Sequence, residues 1–532
     1  MKSTNANTRR QIPENSAGLN SSPAATSVTQ AQLFTFLLAA TAFLYLRAFL
    51  LPSTPLPTAG DELHYFLHAV RMTHGQVPFR DFFTFILPGT DWLYAGAFHL
   101  VGVRAWVVQG FTVFLGFSLL CVITWIAGYI LRGPLLFLPG LLFLVFDFNG
   151  AMDATHHWWS TLFVILAAGV MLKRISNRRI LIAGALCGIA TLFTQTQGTF
   201  GFLAIAVYLL LTVSEKRRSS RLRDLLILAL PFTVIVGSMI GYYAYKIGLH
   251  TILYWTIYFP IVYFPTIEAH KPGAYFLGAP KIYGLSDLLI AAPYLFVHII
   301  VPLIYLLCAV RLIRENPIRD NLVKEKKTMD PTIWRSVVLL CLVGVALCIT
   351  VMAAATYLRL CVVAPPAVIL CVWYFSGTTR PYRLVRFALW IASVGLILYL
   401  PINRQLHSRY YLDLPIGRTA FLEPAQYEKM RWFAQHTHAG ETLFDDPMTS
   451  FALSLPSPAQ IDYATLGEFT RPEQVAELVS ALSSHQTEHV FLYRELYENV
   501  HGVDNLGPLR QYLTANYQVI SAPFPGQVWE RK

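Results

Sequence analysis

Eleven apolar runs recur along the first three quarters of the chain, near residues 33–51, 106–131, 134–148, 158–172, 180–194, 199–213, 225–246, 287–310, 334–353, 361–376 and 384–402. A helix rises about 1.5 Å per residue, so roughly 17–25 residues span the hydrocarbon layer of a bilayer. No other feature restricts the fold as tightly, because backbone groups in lipid must be satisfied within the segment itself, and a helix achieves this. Only 13% of the 532 residues are charged, about half the share of a soluble domain. Lipid must therefore solvate most of the surface. The pattern predicts a polytopic α-helical membrane protein with about eleven transmembrane helices.

The formal charge of +11 does not point to nucleic acid, because the basic residues sit in short runs between apolar segments. Alternate loops hold most of them: Arg132; Lys173, Arg174, Arg178 and Arg179; Lys216, Arg217, Arg218, Arg221 and Arg223; Arg311, Arg314, Arg319, Lys324, Lys326, Lys327 and Arg335; Arg380, Arg383 and Arg386. The intervening loops hold few, chiefly Arg71, Arg80, Arg104, Lys246, Lys271, Lys281 and Arg359. By the positive-inside rule this predicts a cytoplasmic N-terminus and an extracytoplasmic C-terminal tail, in a protein of the bacterial inner (plasma) membrane. Residues 1–32, rich in Ser, Thr and Asn, read as a disordered cytoplasmic tail. The first apolar run lacks a small-residue cleavage site and reads as a retained anchor. All seven cysteines lie in or beside apolar segments, so neither a disulfide framework nor a CxxC metal site is expected.

The membrane part is expected over 33–402, with outer loops at 52–105, 147–158 and 247–286 that carry the chemistry. From 403 to 532 the composition becomes that of a small soluble α/β domain. Helices are expected over 424–438, 472–484 and 506–516, strands over 441–444 and 490–493, and a closing hairpin from 517–521 and 527–530. No GxxxxGK[ST] or GxGxxG motif is present, so the sequence offers no phosphate-binding loop for a nucleotide.

The polar residues of the membrane part gather in the outer loops, as interfacial chemistry requires and mid-bilayer transport does not. Gly60-Asp61-Glu62-Leu63-His64-Tyr65-Phe66 follows directly on the first apolar run. Leu63, Phe66, Leu67 and Val70 recur at helical spacing, with Asp61, His64, His68 and Arg71 on the other side. This predicts a short interfacial helix whose apolar face lies in lipid and whose His64 and His68 face water, stopped at Gly75. Capping of that helix is the competing role for Asp61 and Glu62. Loop 247–286 carries Tyr254, Trp255, Tyr258, Phe259, Tyr263 and Phe264, and reads either as the border of a groove for a lipid tail or as a re-entrant loop.

An acid pair at the surface, with cations in neighbouring loops, suits transfer of a sugar from a lipid phosphate: a carboxylate takes the acceptor's proton, and fixed cations hold the phosphate as charge builds on it. Asp61 can be the base, with Glu62 and Asp153 as further catalytic carboxylates; Glu62 either orients the acceptor, assists Asp61 or simply faces water. Arg80, Arg359, His156 and His157 can hold the donor phosphate; an arginine fork matches its geometry. Snorkelling for Arg359 and pairing with Asp81 for Arg80 are the structural alternatives. Gln195, Gln197 and His64 are candidates for acceptor or sugar binding, with helix-end satisfaction the alternative for the amides. Asp153 and His157, four apart, would share a helix face and permit a divalent metal ion; a helix cap beside an interfacial histidine is the other reading.

Gly60-Asp61-Glu62, the following Gly75-x-Val77-Pro78-Phe79-Arg80-Asp81-Phe82, His156-His157-Trp158 and Tyr357-x-Arg359-x6-Pro366 together resemble the GT-C superfamily of polytopic glycosyltransferases, in particular the branch of protein O-mannosyltransferases and lipid A aminoarabinose transferases. The resemblance implies an inverting transfer at the outer face from a polyprenyl-phosphate sugar to a glycan, lipid or protein acceptor, with the first-loop Asp as base. The chain departs from that pattern at Phe193-Thr194-Gln195-Thr196-Gln197-Gly198, where similar chains would carry a lysine before the glutamine. A transporter or flippase of a lipid-linked glycan is the alternative from another class.

Overall fold

The computed structural model describes residues 28–58, 60–173, 175–212, 220–267, 272–315, 329–407, 409–498 and 504–532. The disorder expected of the N-terminal tail, and the loop cations Arg174, Lys216, Arg217, Arg218, Lys271, Arg319, Lys324, Lys326 and Lys327, lie outside these residues in whole or, for the tail, as far as residue 27.

Each of the eleven apolar runs falls in a helical segment. Eight are long and apolar enough to cross a membrane: Gln30–Ala48, Ala105–Ala127, Gly133–Ala151, Gln195–Thr212, Arg221–Ile247, Ala291–Arg314, Pro331–Ala354 and Arg380–Leu406. A ninth is broken by 63° between Tyr357–Val363 and Pro365–Tyr374, where Pro365 and Pro366 remove two backbone donors in succession. The remaining two, His156–Met171 and Asn177–Phe193, have 16 and 17 residues. They are sheathed by their neighbours, and the core between them holds Trp158, Val164, Ala167 and Ala183 at 0% exposure. The last long helix continues through Pro401 to Leu406, past the boundary expected at 402. Gln405 there donates to the carbonyls of Leu46 and Phe49, closing the end of the first helix.

In lipid, apolar side chains gain little from meeting one another, so close backbone approach through small residues does much of the packing. Helix Asn177–Phe193 meets helix Ser220–Ile247 through Gly184 and Gly188; a Cβ on Gly184 would stand 2.1 Å from the Leu228 carbonyl oxygen. That neighbour is backbone and cannot swing aside. Gly184→Leu is expected to force the two helices apart at a cost of about 1–3 kcal/mol, read as a lowered unfolding midpoint of the detergent-solubilised protein.

The first outer loop contains more structure than its sequence suggested. A two-residue hairpin, β1 (Phe49–Leu50) with β2 (Thr54–Pro55), follows the first helix. The helix Glu62–Thr73 ends before Gly75, whose φ of +82° favours glycine, and a second helix, Gly89–Val101, was not foreseen. Glu62–Thr73 does not lie with one face in lipid. Leu63, Phe66 and Leu67 are buried, Phe66 against Tyr94, Phe98 and Phe451, and His68 is only 5% exposed. The C-terminal tail covers the face that was expected to meet water.

That tail is α/β. Hairpin β3 (Tyr410–Leu414) and β4 (Gly417–Phe421) turns at Gly417 with φ +110°. A four-stranded sheet follows in the order β5 (Leu443–Phe444), β6 (His489–Leu492), β8 (Gln527–Arg531), β7 (Tyr517–Ile520), parallel only between β5 and β6. Helices Pro424–His436, Pro472–Ser484 and Gly507–Asn516 match the expected ones to within two residues, each with proline in its first turn. Helix Pro447–Leu453, capped by Asp446, was not foreseen. All seven cysteines are free thiols.

Candidate functional site

The outer helix, the His156 corner, the Thr194–Thr196 helix junction, the aromatic loop, the break before Tyr357 and the tail converge on one cavity of about 410 Å³. Each contributes through a local break in regular structure. Asp61 initiates helix Glu62–Thr73, yet its side chain makes no capping hydrogen bond and instead lines the cavity. The capping role is therefore not the one its carboxylate adopts. His156 opens helix His156–Met171, Gln195 follows a break at Thr194, and Arg359 lies in the first turn after the Met352–Ala354 turn.

Of the residues singled out from sequence, Asp61, His64, His156, His157, Gln195 and Arg359 line this cavity. Arg359 lies within electrostatic reach of Asp61, donates to the Ala354 carbonyl at 3.3 Å and lies over the Phe264 ring, 5.0 Å from its centroid. Position 359 is inward, and an anchor reaching out of the bilayer is not its geometry. The His156 and His157 rings lie 3.8 Å apart, centroid to centroid, tilted by 35°, and His156 Nδ1 shares a 2.7 Å hydrogen bond with the Tyr65 hydroxyl. Burial lowers the His64 imidazole to about 4, so it is neutral near pH 7; its ring packs on Tyr463 at 4.3 Å. Gln195 donates to the carbonyls of Phe85 and Thr256, joining the first loop to the aromatic loop. Phe83, Phe85, Pro260, Phe264 and Phe469 give the cavity an apolar wall beside its polar floor.

Four predicted residues stand outside the cavity lining, each for a visible reason. Arg80 is 54% exposed at its side chain and forks onto its neighbour Asp81 at 2.9 and 2.8 Å. Glu62 is fully buried: Oε1 accepts from the Tyr94 hydroxyl at 2.8 Å and the Ala154 amide at 2.9 Å, tying the outer helix to the second loop. Burial, reinforced by Asp153, holds Glu62 well above the usual carboxylate range. Asp153 accepts from the Thr155 amide and is itself pushed up by burial to about 7. Two adjacent buried carboxyls do not both ionise readily near neutral pH, so they hold the loop rather than face a substrate. Gln197 is buried behind the lining, beside His157. Helix His156–Met171 begins after Asp153, so Asp153 and His157 do not share a helix face. Among the described residues the three-residue group with converging ligand atoms is Glu441, Glu488 and His489, within 4.8 Å of one another in the tail; none of the three lines the cavity.

Sequence reasoning missed the roof. Residues 459–470 of the tail fold over the cavity and place Asp462, Tyr463, Thr465 and Phe469 in its lining. Arg71 pins this segment, donating to Asp462 at 2.8 Å and to the Ala459 carbonyl at 2.9 Å, while Phe83 N donates to the Gln460 carbonyl. His68, taken for a surface residue, sits between Asp91 at 3.1 Å and Asp462 at 3.3 Å. Burial works against its charge, but the hydrogen bonds and charges of Asp462 and Asp91 outweigh it and raise the imidazole to about 9. A folded value above the unfolded 6.5 contributes stability that is fully present below about pH 6.5 and lost as pH rises through about 9. The unfolding midpoint should fall between pH 7 and 9.5, and His68→Gln should flatten that slope while lowering the midpoint at pH 7.

No protein-family model and no curated protein sequence matches the chain. Likeness lies in three dimensions. The crystal structure of ArnT from Cupriavidus metallidurans bound to undecaprenyl phosphate aligns at a TM-score of 0.61 and 13% identity, over 94% of this chain and 98% of that one. AglB, the archaeal oligosaccharyltransferase from Archaeoglobus fulgidus in complex with an inhibitory peptide and a dolichol-phosphate, aligns at 0.52 and 10% identity, over 94% of this chain and 74% of that one. The same oligosaccharyltransferase in complex with Zn and sulfate gives 0.52 and 11%, over 93% and 73%. The chain shares the fold of these structures.

Proposed function

We propose that this protein is a membrane glycosyltransferase that moves a sugar from a polyprenyl-phosphate donor to an acceptor hydroxyl at the outer face of the membrane. The observation that carries this reading is the shared hollow: a carboxylate, a guanidinium and two adjacent imidazoles front a single cavity whose other wall is aromatic. The acceptor's proton passes to the Asp61 carboxylate as its oxygen bonds to the anomeric carbon. The bond from that carbon to the phosphate breaks, and its electron pair leaves on the phosphate oxygen. Arg359 balances the charge that builds there and the His156–His157 pair offers ring N–H donors to it, while His64 and Gln195 orient sugar or acceptor. Attack opposite the leaving phosphate inverts the anomeric centre. Phosphate is stable as an anion, and the step needs no general acid.

Two fold neighbours are structures with a polyprenyl phosphate, ArnT bound to undecaprenyl phosphate and AglB in complex with a dolichol-phosphate, which supports a lipid-phosphate donor here. The aromatic loop, with Thr256, Pro260 and Phe264 in the lining, suits the first isoprene units. The cytoplasmic N-terminus, the extracytoplasmic tail and the role of that tail in receiving the acceptor belong to the same proposal. The test is turnover without a compartment: purified protein in detergent, given a labelled polyprenyl-phosphate sugar and a mixture of envelope glycans, lipids and peptides, should transfer label and release polyprenyl phosphate. Movement of the lipid across sealed vesicles with no transfer in detergent would replace the enzyme by a flippase.

A further inference from the structure

A second hollow, of about 550 Å³, lies apart from the catalytic cavity and shares no lining residue with it. Its walls come from three places far apart in sequence: Tyr45 and Phe49 at the end of the first helix, Trp106 and Val113 on the first turns of helix Ala105–Ala127, and Arg418 on the β3–β4 hairpin, with Arg104 at the rim. Gly110 leaves the middle open, since a Cβ there would meet nothing within 4 Å.

Charge and exposure both describe its occupant. No Asp or Glu lines the hollow, while two arginines do. The loops assigned to this end of the bundle are poor in basic residues, so a pair of guanidiniums at one groove is not the local background. Both are exposed but steadied: Arg104 reaches the Pro415 carbonyl, and Arg418 lies over the Tyr411 ring, 4.9 Å from its centroid. Arg104 is also the N-cap residue of a 23-residue helix whose first turn carries no side-chain cap, so the helix adds its positive end to the rim. Below the cations the surface is apolar. Trp106 is 52% exposed, with Leu100 and Val101 exposed just before it, the pattern of side chains seated at the headgroup level of a bilayer. A molecule that satisfies this groove is an amphiphile with an anionic head and a hydrocarbon chain.

We propose that the groove binds one anionic phospholipid, its phosphate between Arg104 and Arg418 and an acyl chain along Trp106, Gly110 and Val113. Because Ile416, Gly417 and Arg418 belong to the tail and the other walls to the membrane part, the lipid fastens the β3–β4 hairpin to helices Gln30–Ala48 and Ala105–Ala127. Its chemistry is independent of the transfer reaction.

The experiment is native mass spectrometry of the full chain, delipidated in detergent and titrated with phosphatidylglycerol or phosphatidylcholine of identical acyl chains, with unfolding midpoints measured in parallel. One phosphatidylglycerol should be retained per chain at least ten-fold more tightly than phosphatidylcholine, and should raise the midpoint where phosphatidylcholine does not. Arg104→Gln with Arg418→Gln should abolish that preference. Val113→Trp, which fills the groove without touching charge, should abolish retention, and it serves as the deciding variant if the double arginine variant does not fold in phosphatidylcholine. Equal retention of the two lipids by the unmodified chain, or a preference that survives the deciding variant, overturns the proposal.

Discussion

Asp61→Asn is expected to lower transfer by a hundredfold or more while leaving the folded protein unchanged. The amide keeps the size and planar shape of the carboxylate and can still accept a hydrogen bond, so a substrate hydroxyl is still met at the same place. It cannot take the proton, and general-base assistance of this kind contributes about 10²–10⁴ to a rate. The structure gives a specific reason why folding should survive. The Asp61 side chain makes no capping bond to helix Glu62–Thr73 and is exposed at the cavity, so the helix loses no cap, and Arg359 keeps its bond to the Ala354 carbonyl and its place over the Phe264 ring. The unfolding midpoint should therefore match that of the unmodified protein, and the whole deficit should appear in turnover of the labelled polyprenyl-phosphate sugar. Turnover within threefold of the unmodified enzyme would remove position 61 from the chemistry. Its neighbour makes the contrast plain: one oxygen of Glu62, Oε1, takes both the Tyr94 hydroxyl and the Ala154 amide, and is placed to hold a loop.

The membrane part was legible because lipid imposes one solution on the backbone. Runs such as 225–246 and 334–353 have to be helical, and they are, within Arg221–Ile247 and Pro331–Ala354. In the tail, helix Pro472–Ser484 could be bounded by its initial proline and its apolar spacing. Gly89–Val101 gave no comparable signal: its apolar residues run around the helix, and its buried Asp91 finds a partner, His68, on another element. The candidate site shows the same limit. Asp61 was readable from its place after the first helix, and Arg359 from its place before a proline break. Arg80 looked equally suitable by spacing, but Asp81 is adjacent and captures it, whereas Arg71 reaches 391 positions along the chain to Asp462. The roof over residues 459–470 has no helix or strand and no motif. Its position follows from His68, Arg71 and Phe83, and only folding brings those residues beside it. Local pattern predicts elements; the partners of charged groups are settled by tertiary contact.

Arg359→Gln is the second variant expected to have a large effect, a loss of about 10²–10³ in kcat, in line with removal of a preorganised donor from a site of developing charge. The physical case rests on where the guanidinium is held. It stands in the first turn after a helix break, with the Ala354 carbonyl on one side and the Phe264 ring beneath it, in a cavity where Asp61 supplies the opposite charge. A cation kept there against the cost of burial is stabilised most when a second anion arrives, and in the transfer reaction that anion is the departing phosphate, whose charge is greatest in the transition state. The loss should therefore fall on kcat more than on KM. Arg359→Lys separates charge from geometry: an ammonium restores the charge but not the planar fork, so it should recover part of the rate and not all of it. Product inhibition gives a readout that a misfolded site would not imitate. Added polyprenyl phosphate should inhibit the unmodified enzyme and Arg359→Lys, and should inhibit Arg359→Gln at least ten-fold less effectively, with all three proteins unfolding at similar temperatures. If Arg359→Gln retains both its rate and its sensitivity to polyprenyl phosphate, the phosphate is held elsewhere, and the His156–His157 pair becomes the group to replace next.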